Sequence, residues 1–173
     1  MPHAPKRRSA LLVRRVQTVS WVRETEDGPW GNSRKTGVRA AGVTYERKFG
    51  KRLQREIDRG ELEGELHSGQ WLHWSGSWLE YRGGENTLRS GKAYAQPDHY
   101  IVQPEVILLF ECKLTQTDEA EAQLVSLYTP LLEHLYKRPV LKTQVCKNIQ
   151  HSIGPLEIHH PRELLAYPRS TPH

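Results

Sequence analysis

Cysteine is nearly absent from this chain: Cys112 and Cys146 are the only two in 173 residues. That excludes a disulfide scaffold. It also leaves no four-ligand set for a structural zinc, since His159-His160 has neither cysteines nor a second histidine pair at ligand spacing. Reduced thiols packed inside a domain are the reading that remains, which fits the cytoplasm. Long apolar runs are missing too. The run Val106 to Phe110 has five residues, against about 20 for a membrane-spanning helix, and Ala10 to Val13 is too short for the apolar centre of a secretory signal. No ATPase motif and no internal repeat is present, and no acid occurs before Glu24.

With 36% hydrophobic and 26% charged residues, the composition is that of one globular domain. The net charge of +5 conceals an asymmetry, because residues 1–60 carry 15 Lys and Arg against 6 Asp and Glu, and the remainder 10 against 14. Such an N-terminal excess suits a phosphate backbone, whereas no basic helix with a broad apolar face argues for a membrane surface. Residues 1–37 read as a basic arm and 38–173 as a single domain. Within the arm, Val13, Val16, Val19 and Val22 have strand character, although their spacing of three fits no clean alternation.

Val43, Glu46, Phe49, Leu53 and Ile57 recur at three and four, which predicts a helix from Gly42 to Asp58 with Glu46 on its apolar stripe. Lys48, Lys51, Arg52 and Arg55 fall around its other faces and are candidates for nucleic-acid contact. The aromatic segment Trp71 to Tyr81 predicts one or two strands. Its Trp71, Trp74 and Trp78 are either core residues or stacking partners for unpaired bases. Arg89 and Lys92, in a Gly-containing stretch read as a loop, are further candidates for phosphate contact.

Two β-rich runs then flank Gln103-Pro104-Glu105, predicting a hairpin. Just ahead of it stands Pro97-Asp98, and at its far end Glu111-Cys112-Lys113. Alternation puts Glu111 and Lys113 on one strand face and Cys112 on the other. Five apolar residues precede Glu111, which suits a central strand covered on both faces. A charge emerging from such a strand needs a partner or a metal. Two carboxylates hold Mg²⁺ through hard oxygens, the Cys112 backbone carbonyl offers a third, and Lys113 can orient a water or offset charge on a phosphate. The ordinary alternative is a hairpin with surface charges on one face. A second acid-x-lysine string, Glu46-Arg47-Lys48, has no Pro-Asp upstream.

Past Lys113, Thr115 to Glu119 supplies capping oxygens and first-turn acids for a helix marked by Ala120, Leu124, Leu127, Tyr128, Leu131 and Leu135, with Pro130 predicted to kink or split it. Arg138 to Lys147 reads as a strand, Leu156 to Ile158 as a shorter one, and Pro161 to Leu165 as a helical turn.

At Pro97-Asp98 and Glu111-Cys112-Lys113, with their strand context, the chain resembles the PD-(D/E)XK nuclease superfamily over residues 38 to 146. The resemblance implies an α/β fold with a restriction-endonuclease-like core, a mixed β-sheet flanked by helices in αβββαβ order. It implies Asp98, Glu111 and Glu46 as metal ligands, joined by the Cys112 carbonyl, and Lys113 as the catalytic lysine. Gln123 and Tyr128 resemble the Gln and Tyr that some subgroups set beside the scissile phosphate, though at a spacing of five rather than four. The activity implied is Mg²⁺-dependent hydrolysis of DNA, with Mn²⁺ able to substitute, to 5′-phosphate and 3′-hydroxyl ends. Small size and a basic arm favour a homodimeric endonuclease of phage and recombination systems, including junction-resolving enzymes. An exonuclease of the same chemistry and a non-catalytic DNA-binding module are the alternatives.

Overall fold

The apolar run ahead of Glu111 becomes the middle of a sheet. In the computed structural model, which describes residues 13–29, 38–82, 84–115 and 122–148, strand β6 (Ile107–Thr115) lies between β5 (His99–Val102), antiparallel to it, and β7 (Val140–Asn148), parallel to it. Strand β2 (Glu65–Ser68) completes a four-stranded sheet in the order β2-β5-β6-β7. Ile107, Leu108, Leu109 and Phe110 are all sealed from solvent, so β6 is covered on both faces.

Helix α1 (Val38–Asp58) covers one of those faces. Its Phe49 and Leu53 pack with Leu108, Phe110 and Cys112, while Tyr45 and Ile57 lie alongside. Burial of each large apolar side chain stabilises the contact by roughly 1.5–3 kcal/mol. The helix stops at Gly60, whose φ of 72° provides the left-handed residue that lets its amide return to the Ile57 carbonyl.

The opposite face meets a second sheet. It is antiparallel, in the order β1-β3-β4, with β1 at Val13–Thr25, β3 at Trp71–Arg82 and β4 at Glu85–Ala95. Between the sheets lie a π-helical turn (Leu124–Tyr128) and helix α2 (Thr129–Tyr136), which share a core with Trp74, Trp78, Ile107 and Leu109. The Glu24 carboxylate of β1 ties the layers together, accepting from the Tyr100 hydroxyl of β5 at 2.8 Å and from that of Tyr136 in α2. Burial first, then the bond to Glu24, holds both phenols well above their ordinary range.

The coarse expectation of a mixed α/β fold holds, with several differences in detail. There are two sheets rather than one, and β1 precedes α1. Of the residues read as an arm, Val13–Thr25 form β1, which pairs along nearly all of β3. The valine spacing of three is explained by register shifts between Val16 and Thr18 and between Val19 and Trp21. Each extra residue turns the strand once more, so Val16, Val19 and Val22 all reach the core. The stretch holding Arg89 and Lys92 is strand β4, not a loop. The helical run around Pro130 is divided beside it, into the π-helical turn and α2, and Pro130 sits in the first turn of α2, where a missing N–H is tolerated. Of the predicted cap Thr115 to Glu119, Thr115 is the last residue of β6 and the rest lies outside the described residues, as do the short strand at 156–158, the turn at 161–165 and His159-His160.

Gly76 marks the close approach of β3 to the bulged part of β1. A Cβ there would overlap the Thr18 backbone carbonyl. Gly76→Ala should therefore cost roughly 1–3 kcal/mol, although Gly→Ala in a strand ordinarily stabilises. Urea unfolding measures this, and a neutral or stabilising result would mean that β1 and β3 are not so closely apposed.

Candidate active site

Asp98 leads into β5, Glu111 stands midway along β6, one residue past its pairing with β5, and Lys113 follows two residues on. The His99–Phe110 pairing, continued by one residue, sets Asp98 across from Glu111. The bond that holds them is local: the Cys112 amide donates to Asp98 Oδ2 at 2.7 Å. From behind, the Gly69 amide donates to the Asp98 carbonyl at 2.9 Å. Alternation carries Cys112 into the core beneath α1 and leaves Glu111 and Lys113 on the face toward the π-helical turn.

Glu111 is the unusual group. It is only 3% exposed, its Oε1 lies 3.7 Å from Lys113 Nζ, and its Oε2 has no hydrogen-bond partner among the described residues. Burial, then the neighbouring Asp98, pushes its carboxyl up to about 8, with Glu46 adding to the rise and Lys113 opposing it. Lys113 is 41% exposed, so its ammonium is hydrated and compensates the buried carboxylate only in part.

Glu46 approaches from α1 and is close enough to act electrostatically on both Glu111 and Tyr128. Its place is set by His99, a residue that no sequence motif singles out. The His99 ring is buried, with Nε2 2.8 Å from the Glu46 carbonyl and Nδ1 2.7 Å from Ser68 Oγ. A carbonyl only accepts, so Nε2 carries the proton and Nδ1 accepts from the serine. Burial keeps this ring neutral by lowering its affinity for a second proton. Gly50 makes room for the ring, since a Cβ there would come within 2.5 Å of it. The only sequence signal for His99 is that it adjoins Asp98.

Gln123 and Tyr128 also face the site, and their spacing of five has a geometric explanation. The Thr129 amide bonds back to the Leu124 carbonyl, an i to i+5 closure. In such a π-turn residues five apart share a face, and Tyr128 Oη reaches Gln123 Oε1 at 3.5 Å. Burial and the charges of Glu111 and Asp98 hold the Tyr128 phenol well above its ordinary range, so it stays protonated. Arg14 of β1 acts on it in the opposite sense, a neighbour that no local pattern announces.

The basic candidates divide. Arg52 and Arg55 line an open groove on α1 with Glu56 and Arg59, and Lys48 and Lys51 are exposed on the same helix. Arg89 pairs with Glu80 at 3.4 Å. Lys92, three residues further along β4, belongs to the other face of that sheet. Trp74 and Trp78 are core residues. Trp71 alone of the three lies on the sheet's outer side.

Compared with protein-family models, with curated proteins and with solved structures, the chain matches none of them. The case for function therefore rests on the residues. Among the described residues, no three His, Cys, Asp or Glu side chains already form a set that could hold a metal ion. The donors nevertheless suit a hard cation: two carboxylates joined through one amide, a third close by, and a buried oxygen on Glu111 awaiting a partner. Among the described residues, no helix is long and apolar enough to cross a membrane.

The raised Glu111 carboxyl has a consequence for stability. Its folded value of about 8 exceeds the ordinary 4.5, so the folded state holds this proton more tightly, and stability falls as pH rises from about 4.5 through 8. Glu111→Gln should melt higher than the parent at about pH 8, by roughly 2–4 °C for each kcal/mol relieved. The advantage should disappear near pH 4. Calorimetry across this range checks it, and a gap independent of pH would contradict the burial argument.

Proposed function

We propose that this chain is a metal-dependent deoxyribonuclease of the PD-(D/E)XK type. The observation that carries the proposal is the buried, incompletely partnered Glu111 carboxylate midway along the central strand, with Asp98 across from it and Lys113 beside it. Asp98, Glu111, Glu46 and the Cys112 carbonyl would hold a Mg²⁺ or Mn²⁺ ion. Bound there, the cation would act as a Lewis acid on the phosphate and lower the pKa of a water.

The chain's own groups account for the rest of the chemistry. Lys113, half in solvent, can hold the attacking water by hydrogen bond and offset charge gathering on the non-bridging phosphate oxygens. Water attacks in line, a P–O bond forms, and the bond to the 3′ oxygen breaks, leaving 5′-phosphate and 3′-hydroxyl ends. Gln123 and the protonated Tyr128 supply donors beside the phosphate. The cations of α1, Arg52 and Arg55 with Lys48 and Lys51, would take up the flanking backbone, so binding weakens as salt rises. The proposal extends to an endonuclease that acts on junctions or branches as a homodimer, since two strands are then cut symmetrically.

Incubation with closed circular, linear and four-way-junction DNA, with and without Mg²⁺ or Mn²⁺, tests this reading. Metal-dependent nicking of circles is expected, reduced by a factor of about 10² or more in Asp98→Ala and Lys113→Ala proteins. Degradation confined to linear DNA would make the enzyme an exonuclease. Absence of cleavage, or equal cleavage by both variants, would leave a DNA-binding module.

A further inference from the structure

The outer face of the β1-β3-β4 sheet takes no part in the site above, and it has its own chemistry. Register places Trp21 and Arg23 of β1, Trp71 and His73 of β3, and Lys92 and Tyr94 of β4 on this face. The rings touch in sequence. Trp21 stands edge-on to His73 with centroids 4.9 Å apart, His73 stacks on Tyr94 at 4.4 Å, and Trp71 meets Tyr94 edge-on at 6.2 Å. Arg23 is exposed, with its guanidinium over the Trp21 ring at 5.3 Å and one nitrogen 3.1 Å from His73 Nδ1.

The carboxylates of this sheet's strands all lie on one face. The acids of its strands, Glu24, Glu80 and Glu85, pair across to Leu72, to Arg14 and Thr87, and to Arg82, all on the inner side. Glu26 and Asp27 lie beyond β1, in the turn whose Gly28 packs on the Trp71 ring. The outer side thus joins ring surfaces to cations, with no carboxylate among its described residues. Burial, then Arg23 and Lys92, lowers the proton affinity of His73, in keeping with a positive potential there.

We infer that this face binds single-stranded nucleic acid, with bases stacking on the aromatic row and phosphates meeting Arg23 and Lys92. Stacking on aromatic rings combined with a cationic track is the general solution for an unpaired polynucleotide, whose bases all present a π-face and whose backbone is anionic. The cation–π contact of Arg23 with the half-buried Trp21 indole is a weak one, so the exposed guanidinium can exchange it for a base or a phosphate. A second copy of the chain is a poorer occupant. Two-fold pairing sets a face against itself and would bring the cations of one copy against those of the other. The inference stands apart from the nuclease reading, because binding here needs neither metal nor turnover.

The test uses the full chain in a metal chelator, so that no cleavage occurs. A labelled oligothymidylate of about 20 nucleotides, the matching oligouridylate and a duplex of equal length are titrated by anisotropy and by quenching of tryptophan fluorescence. Single strands should bind and quench, and Trp21→Ala should weaken them about ten-fold or more while leaving the duplex nearly unaffected. Arg23→Glu and Lys92→Glu, both on exposed positions, should each weaken binding and flatten its salt dependence, by about 0.7 in slope for every phosphate no longer neutralised. Melting curves confirm that these proteins fold. Preference for the thymidylate or the uridylate identifies DNA or RNA as the ligand. Failure of both single strands to bind at low salt would overturn the inference. So would unchanged affinity in all three variants, or dissociation of a dimer by them in place of any effect on binding. Because none of these readouts depends on Asp98 or Lys113, a failure here is distinguishable from a failure of the cleavage assay.

Discussion

A carboxylate held out of water in the middle of a central strand is the constraint on which the rest of this structure turns. Glu111 reaches that position because the residues ahead of it on β6 are apolar on both faces, which places the strand in the middle of its sheet. Burial then disfavours its charge, and Asp98, fixed by the Cys112 amide, disfavours it further. Lys113 answers only part of that cost from 3.7 Å. The layers packed on both faces of β6 are what keep this carboxylate from water.

The residues around this carboxylate come from every layer. α1 brings Glu46, held at its carbonyl by a neutral His99 whose other nitrogen is taken by Ser68. The contact is possible because position 50 is glycine. On the far side, the π-turn rotates Gln123 and Tyr128 onto one face. A π-turn is a costly local geometry that proteins keep mostly where a side chain must be aimed. Glu24 joins β1 to β5 and α2, so the strand carrying Arg14 is tied to the same frame.

Several elements were legible without the fold. The apolar run before Glu111, the turn at Gln103 to Glu105 and the three-four stripe of α1 are local signals, and each produced the element read from it. Others were misread because their cause is nonlocal. The three-residue valine spacing looks irregular until the bulges against β3 are known. The strand β4 contains Gly91 and is polar and exposed, so it reads as a loop, and only pairing along β3 makes it a strand. Parity along β3 decides that Trp74 and Trp78 are core and Trp71 is not. Tyr128 looked displaced by one residue because an α-helical period was assumed where the backbone is π-helical.

By itself the sequence determined the chemical types and the local geometry. A Pro-Asp, an acid-x-lysine on one strand face and a helix with a carboxylate on its stripe follow from backbone periods of 2 and 3.6, which act over a few residues. Only the tertiary structure decided which of these groups meet. It brought Asp98 to the Cys112 amide, set Glu46 within electrostatic reach of Glu111, turned Arg89 toward Glu80 and Lys92 away from it, and divided the second sheet into an inner face that holds the core and the carboxylates and an aromatic, cationic outer one. The reason is that strand pairing and layer packing join residues far apart in the chain. Burial, which governs charge at Glu111 and neutrality at His99, arises only when those layers close.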